Sequence, residues 1–187
     1  MNIAAMKRAL GPPLCLLACA AISLACGCRW FDTEAQLQQL CAQSDAVLVG
    51  QAVAAIGPRN ARRSPRFLGD DVLVRVIAWK KGPVRRDTVV VMQADGNCNR
   101  PFVAGDTVYI FARAIRGVRA LPRQDEEHSY SYFEEEKQVF YKDGGAAAVQ
   151  QYREWARRFP AITTNQCTSF TKQHRLVPAF FLALKEK

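Results

Sequence analysis

Histidine is scarce in this chain of 187 residues, and the motifs of several enzyme classes are absent from it. The two histidines are His128 and His174. The sequence contains no Gly-x-Ser-x-Gly, no phosphate-binding loop and no His-Glu-x-x-His. It also lacks a Cys-x-x-Cys pair, so a zinc site built from cysteine and histidine has little support. We therefore predict that the protein is not an enzyme and has no cofactor of its own.

Acidic residues are outnumbered by basic ones, which gives a net charge of +9. A basic stretch at 59–66 stands between glycine and proline residues, and its arginines are Arg59, Arg62, Arg63 and Arg66. We expect a solvated loop here; the alternative is a contact with a polyanion such as a glycan or an anionic lipid surface. Positive charge of this kind does not establish binding to a specific nucleic acid, and we expect none.

Long apolar runs are confined to the N-terminus, where residues 1–25 have the three parts of a secretory signal. Lys7 and Arg8 precede an apolar stretch that ends in Ser23-Leu24-Ala25. Glycine and proline at 11–13 interrupt this stretch, so it is short for a bilayer span. We predict a removed signal peptide, a secreted or periplasmic chain over residues 26–187 that forms a single domain, and no transmembrane span.

Cleavage after Ala25 makes Cys26 the first residue of the exported chain. Leu24-Ala25-Cys26 also resembles a bacterial lipoprotein cleavage site, at which the cysteine is acylated and anchors the protein to a membrane. Ser23 departs from that pattern, which usually has a large aliphatic residue there. A free and an acylated Cys26 are therefore both open.

The predicted exported chain contains several cysteines. Two of the seven cysteines leave with the signal, and five remain, at positions 26, 28, 41, 98 and 167. Widely spaced cysteines in an exported chain indicate disulfides. Because five is odd, one cysteine is free, modified or bonded to another molecule.

The pattern of apolar residues predicts a mainly β fold with flanking helices. A helix over 33–43 is capped by Asp32 or Thr33. Turn residues then separate four predicted strands, and Lys80 to Pro83 form one of the turns. This arrangement indicates a small antiparallel barrel or sandwich. The predicted strands are 46–56, 71–79, 87–93 and 106–114.

The composition changes in residues 115–159, which are more polar and charged. We predict a short strand at 138–141, a helix at 146–159 that Pro160 stops, and a docking helix in the C-terminal piece that begins at Val177. The change of composition makes 115–159 an expected insertion, peripheral to the barrel.

Several short motifs occur in an order that resembles a known family. They are CGC at 26–28, LCAQSDAVLVGQAV at 40–53, VRVIAWKKG at 74–82, the Asn97-Cys98 loop with PFVAGDTVYIFARA at 101–114, and NQC at 165–167. Together they resemble the N-terminal inhibitory domain of the tissue inhibitors of metalloproteinases and the wider netrin-like module. The resemblance covers about 26–114 and 160–170, and it implies a disulfide-bonded, five-stranded OB-type barrel flanked by helices.

The resemblance also implies a disulfide pairing and a mode of action. It pairs Cys26 with Cys98 and Cys28 with Cys167, and it leaves Cys41 without a partner. The free α-amine and carbonyl of Cys26 then chelate the catalytic zinc of a metalloprotease. The implied contact residues are Cys26, Gly27, Cys28, Arg29, Asn97 and Cys98.

One position departs from the family. Gly27 stands where the family has a Thr or Ser side chain that enters the protease's specificity pocket, so weaker binding to a deep apolar pocket is expected. The sequence thus predicts a secreted inhibitor of zinc metalloendopeptidases. The alternatives are a non-inhibitory OB-type binding module and an envelope lipoprotein acylated on Cys26.

Overall fold

The computed structural model describes residues 31–57, 65–82, 85–96, 98–122 and 130–184. Its helices are α1 (Glu34–Gln43), α2 (Gly145–Arg158) and α3 (Val177–Ala183). Its strands are β1 (Ala46–Ala55), β2 (Phe67–Gly69), β3 (Val72–Lys81), β4 (Thr88–Met92), β5 (Phe102–Val103), β6 (Thr107–Ile115), β7 (Gly117–Ala120), β8 (Tyr132–Glu134), β9 (Val139–Lys142), β10 (Ala161–Thr163) and β11 (Ser169–Thr171).

The fold is mainly β, and five of these strands form a closed barrel. The strands pair in the order β1-β3-β4-β10-β6, and β6 pairs with β1 to close the ring. The four predicted strands correspond to β1, β3, β4 and β6. The fifth, β10, was not predicted, and its pairing with β4 is parallel. The expectation of a purely antiparallel arrangement was therefore wrong.

The interior of the barrel is filled by aliphatic side chains from successive strands. Because side chains of a strand alternate between its two faces, each strand sends every second residue inward. The strand β3 continues through Lys81, so Lys80 and Lys81 belong to the strand and not to the predicted turn. Fully buried members of this cluster include Leu48, Ala52, Val72, Val74, Val91, Phe102 and Ile110.

Helices α1 and α3 cover one side of the barrel. Thr33 caps α1, since its hydroxyl accepts a hydrogen bond from the backbone of Gln36 and the Gln36 side chain binds back, which confirms the predicted helix start. The apolar stripe of α1 packs with α3 on the outer side of β6 and on β11. The buried residues of this second cluster are Leu37, Leu40, Val47, Phe111, Phe170, Val177, Phe180 and Phe181.

The segment expected to be peripheral is part of the core. It forms a three-stranded sheet in the order β7-β9-β8 and the helix α2. Its side chains Val149, Tyr152 and Phe140 share a buried cluster with Val90 and Met92 of the barrel. The polar composition of 115–159 reflects its outer face, while its inner face is apolar and packs on the barrel.

Candidate functional site

Two cysteine-bearing loops meet at one end of the barrel. Cys98 lies in the loop between β4 and β5, and Cys167 lies in the turn between β10 and β11. The backbone N–H of Gln166 donates to the carbonyl oxygen of Cys98 at 2.6 Å. Residues that are far apart in the chain are therefore side by side, and both cysteines are half-buried.

The turn that carries Cys167 is shaped by Asn165. Its Oδ1 accepts hydrogen bonds from the backbone N–H groups of Cys167 (2.8 Å) and Thr168 (3.1 Å). Its carbonyl oxygen accepts from the hydroxyl of Ser169 at 2.7 Å. An asparagine side chain that binds the backbone two residues on imitates a turn, so the NQC sequence holds Cys167 in a defined position.

The loop that carries Cys98 is closed by the side chain of Gln93. Its Nε2 donates to the carbonyl oxygens of Asp70 and Arg100, each at 2.7 Å, and its Oε1 accepts from the N–H of Arg100 at 2.7 Å. Gln93 is buried, so these bonds satisfy an amide that would otherwise be costly to place away from water. The two ends of the loop are thus tied to one side chain.

A second set of bonds joins the Cys98 loop to the inserted sheet. The N–H of Asp95 donates to the carbonyl oxygen of Ser131 at 2.8 Å, and Asp95 Oδ2 accepts from the N–H of Ser131 at 2.9 Å. The Ser131 hydroxyl donates to Asp143 Oδ1 at 2.6 Å. The inserted segment therefore contacts the loop directly.

The first described residue, Phe31, lies next to the Cys167 turn. Its ring meets the ring of Phe170 edge-on, with the centroids 5.9 Å apart. Phe170 belongs to β11, which begins two residues after Cys167. The described chain therefore starts close to one of the two cysteine loops.

A cleft of about 800 Å³ opens beside these loops. Arg113 and Glu135 line it and form an ion pair, with Arg113 Nη2 2.7 Å from Glu135 Oε1. Arg113 Nε is also 3.6 Å from Asp45 Oδ2. Asp45 also accepts from the N–H of Ala114 and from Gln138 Nε2, each at 3.0 Å. These bonds connect the segment after α1 with β6 and with the inserted sheet. Its lining includes Leu40, Ala94, Cys98, Phe111, Phe133, Thr164, Asn165 and Thr168.

The cysteines differ in state. Cys41 is a free thiol, as predicted. Cys98 and Cys167 are disulfide cysteines, but no pair is described, so their pairing with Cys26 and Cys28 stays a prediction. Within the described ranges, no group of three or more histidine, cysteine, aspartate or glutamate side chains could hold a metal ion.

Most of the predicted contact residues lie outside the part of the chain that the structure describes. These are Cys26, Gly27, Cys28, Arg29 and Asn97, as well as Arg59, Arg62 and Arg63 of the basic stretch. The predicted signal peptide also lies outside it. In the described ranges, no helix combines the length and apolar character that crossing a membrane requires.

The sequence did not point to the residues that hold the two loops. Gln93 and Asp71 appear in the sequence as ordinary polar residues at a strand end and before a strand, and only their burial marks them. The Asn165 turn had a usable signal, because an asparagine two residues before a cysteine in a polar segment favours a turn.

No protein-family model, no curated protein and no solved structure matches this chain.

Proposed function

We propose that this chain is an exported inhibitor of zinc metalloendopeptidases that binds the protease zinc through the α-amine and carbonyl of Cys26. The observation that carries the proposal is the hydrogen bond from the backbone N–H of Gln166 to the carbonyl oxygen of Cys98. This bond holds the loops of Cys98 and Cys167 side by side. Cys26 and Cys28 are two residues apart and so at most about 7 Å apart along the chain. A Cys-x-Cys start can reach both loops only if the loops are neighbours.

The position of Phe31 supports the pairing of Cys28 with Cys167. Cys28 precedes Phe31 by three residues, and Phe170 follows Cys167 by three residues. The rings of Phe31 and Phe170 are in contact. Because three residues span at most about 10 Å, Cys28 is within reach of the Cys167 turn. The resemblance to the inhibitor family assigns Cys26 to Cys98.

The topology of the barrel supports an OB-type fold. If the barrel strands β1, β3, β4, β6 and β10 are counted one to five along the chain, their order around the ring is 1-2-3-5-4 and back to 1. The third and fifth strands are parallel, and the other neighbours are antiparallel. This order agrees with the five-stranded Greek-key arrangement of OB barrels, which supports the proposed fold type.

The proposed chemistry needs only backbone atoms of Cys26. An α-amine has a pKa of about 8, so it loses its proton readily when a metal ion takes its lone pair. Amine nitrogen and carbonyl oxygen form a five-membered chelate on the zinc and displace the water that the protease uses as nucleophile. Two disulfides at positions one and three hold this end rigid, which lowers the ordering cost of binding.

The absence of a side chain at Gly27 shapes the expected specificity. A glycine cannot fill the specificity pocket of the protease, so part of the contact must come from neighbouring residues such as Arg29 and the Asn97-Cys98 loop.

The basic stretch at 59–66 is a separate surface, for which we propose a contact with a polyanion. Its exposed Arg66 directly precedes β2.

The proposal is tested with the processed protein beside a version that carries one extra N-terminal Ala. The extra residue turns the amine of Cys26 into an amide, whose delocalised lone pair is a poor zinc ligand. We expect the processed protein to inhibit at least one member of a panel of zinc endopeptidases, and the extended protein to inhibit it at least about 100-fold less.

Two controls accompany this titration. Both versions should show the same thermal unfolding, and neither should inhibit a serine protease. The intact mass of the exported protein shows whether Cys26 is free or acylated. Equal inhibition by both versions, no inhibition by either, or an acylated Cys26 would overturn the proposal in favour of a binding module or a lipoprotein.

A further inference from the structure

A buried carboxylate joins three separate parts of the fold beneath the Cys98 loop. Asp71, between β2 and β3, is 8% exposed. Its Oδ1 accepts from the N–H of Gln93 at 2.8 Å. Its Oδ2 accepts from the hydroxyl of Tyr152 at 2.6 Å and lies 3.3 Å from Lys142 Nζ. Gln93 directly follows β4, whereas Tyr152 and Lys142 belong to α2 and β9 of the inserted segment.

The charges around Asp71 favour an ion pair between Asp71 and Lys142, to which the neutral hydroxyl of Tyr152 donates a hydrogen bond. Burial raises the pKa of Asp71, and Lys142, Tyr152 and the Gln93 backbone act in the opposite direction. Burial alone would lower the pKa of Lys142, but the carboxylates of Asp71, Asp95 and Asp143 hold it above its ordinary value. Burial and the Asp71 charge raise the pKa of Tyr152, so its hydroxyl stays protonated and donates.

On one side, the Tyr152 hydroxyl lies directly against the backbone of Gly57. A Cβ added at Gly57, just beyond β1, would lie 2.4 Å from Tyr152 Oη. The Tyr152 ring is also 4.9 Å from Lys142 Nζ. A side chain at position 57 would therefore displace the hydroxyl from the position in which it contacts Asp71. A buried ion pair of this kind is costly to leave without one of its partners.

Gln93 extends this arrangement to the loop. Its backbone N–H is bound by Asp71, while its side chain binds Asp70 and both backbone groups of Arg100. A shift of Asp71 would therefore move the start of the loop and its end together. Cys98 lies between these two points.

We propose that Asp71 is a positioning residue for the Cys98 loop. Tyr152 and Lys142 of the inserted segment bind Asp71, and Asp71 in turn holds the loop in the geometry needed at the inhibitory edge. The structural part of the proposal concerns the loop itself, and its consequence for inhibition rests on the proposed function. The inserted segment thus acts as a brace for the site.

The test uses amide hydrogen exchange in the processed protein and in Tyr152→Phe, which removes one hydroxyl and keeps the buried ring. Exchange reports local opening residue by residue. We expect the amides of Gln93 and Arg100 in the variant to exchange at least 10-fold faster. The amide of Val76, which donates to Asp87 at the opposite end of β4, should change less than 2-fold.

Tyr109→Phe is the matched control, since Tyr109 lies on β6 against Phe181 and does not contact Asp71. It should leave Gln93 and Arg100 exchange unchanged. If Tyr152→Phe raised the exchange rate of Val76 as much as those of Gln93 and Arg100, the hydroxyl would contribute to global stability and the proposal would be overturned. Unchanged exchange rates at Gln93 and Arg100 would also overturn it, because the hydroxyl would then not hold the loop.

A double-mutant cycle tests the route through Asp71. In an Asp71→Asn background, Tyr152→Phe should no longer accelerate Arg100 exchange, because the group that connects the two is already altered. Additive effects would contradict this route. If Asp71→Asn does not fold, Gly57→Ala, which displaces the Tyr152 hydroxyl, takes its place in the cycle with the same expectation.

Inhibition is measured on the same variants as a separate readout. Tyr152→Phe should weaken inhibition at least 5-fold, and Tyr109→Phe should not. If the wild-type protein inhibits no protease, the exchange rates still decide whether Asp71 positions the loop. If it inhibits and Tyr152→Phe opens the loop without weakening inhibition, the brace holds the loop but does not serve the inhibitory edge, and the proposal fails in that form.

Discussion

At the scale of single residues, His174 shows how one ring holds an element next to the proposed site. Its Nδ1 accepts hydrogen bonds from the N–H groups of Leu176 and Val177, each at 3.3 Å, and so caps α3. Its ring also meets Phe170 at 4.9 Å. Only an unprotonated Nδ1 can accept these hydrogen bonds, so the role of His174 at the start of α3 depends on its protonation state.

Protonation of His174 is therefore expected to weaken the protein. Burial lowers its pKa, with Asp32 raising and Arg100 further lowering it. The unfolded chain then binds the proton more readily, so the stabilisation is present above the unfolded pKa of about 6.5 and is lost as the pH falls through the folded pKa. His174→Ala should cost about 1 kcal/mol at pH 8, the usual cost of a lost helix cap, and much less at pH 5.

Denaturant unfolding of both proteins at the two pH values measures this difference. His174→Asn provides the control, since its side-chain oxygen can accept the same backbone hydrogen bonds and does not titrate. An equal cost of His174→Ala at pH 8 and pH 5 would show that the cap does not depend on the protonation state.

At the scale of elements, the pairing of β1 with β3 depends on a glycine, Gly50, at a point where the two strands lie close together. A Cβ at Gly50 would lie 2.4 Å from Val74 Cγ1 and 2.8 Å from the carbonyl oxygen of Arg75. The register between β1 and β3 also shifts between Val49 and Gly50. Gly50 therefore permits the close approach of two strands that a side chain would force apart.

We expect Gly50→Ala to lower the free energy of unfolding by about 1–3 kcal/mol, the usual cost of overpacking a core. Gly117→Ala is a suitable control, because a Cβ at Gly117 in β7 would meet Val139 Cγ2 at 3.8 Å, an ordinary contact. Urea unfolding midpoints of the two variants provide the comparison. Equal midpoints would mean that β1 and β3 can separate at no cost.

At the scale of the whole molecule, the inserted segment leaves and rejoins the barrel at neighbouring positions. Ile115 at the end of β6 is the register partner of Ala161 at the start of β10. A short turn could therefore replace the segment without changing the order of the barrel strands. The packing opposes this, because Val90 and Met92 of β4 are buried against Val149 and Tyr152 of the segment.

We expect replacement of residues 117–159 by a short glycine-serine turn to abolish cooperative thermal unfolding. The replacement exposes the apolar cluster and leaves the buried Asp71 without Lys142 and Tyr152. A variant changed only on the exposed face of α2, with Gln151→Ser and Arg157→Ser, should unfold like the wild type. A cooperative transition after the replacement would restore the segment to the peripheral role expected from its composition.

The sequence by itself determined the elements that have a local signal. The cap expected at Asp32 or Thr33 marked helix α1, and the stop at Pro160 marked helix α2. Apolar, β-branched runs bounded by turn residues marked β1, β3, β4 and β6. These signals act within a few neighbouring residues, which is why they can be recognised without the fold.

Only the tertiary structure decided how the barrel closes and what holds the Cys98 loop. The three residues of β10 are too few for a periodicity, and they form a strand because β4 and β6 offer them hydrogen bonds on both sides. Asp71 and Gln93 are ordinary polar residues in the sequence, and their burial next to Tyr152 depends on contacts between distant segments. Such contacts leave no local pattern, because the chain must fold before the partners meet.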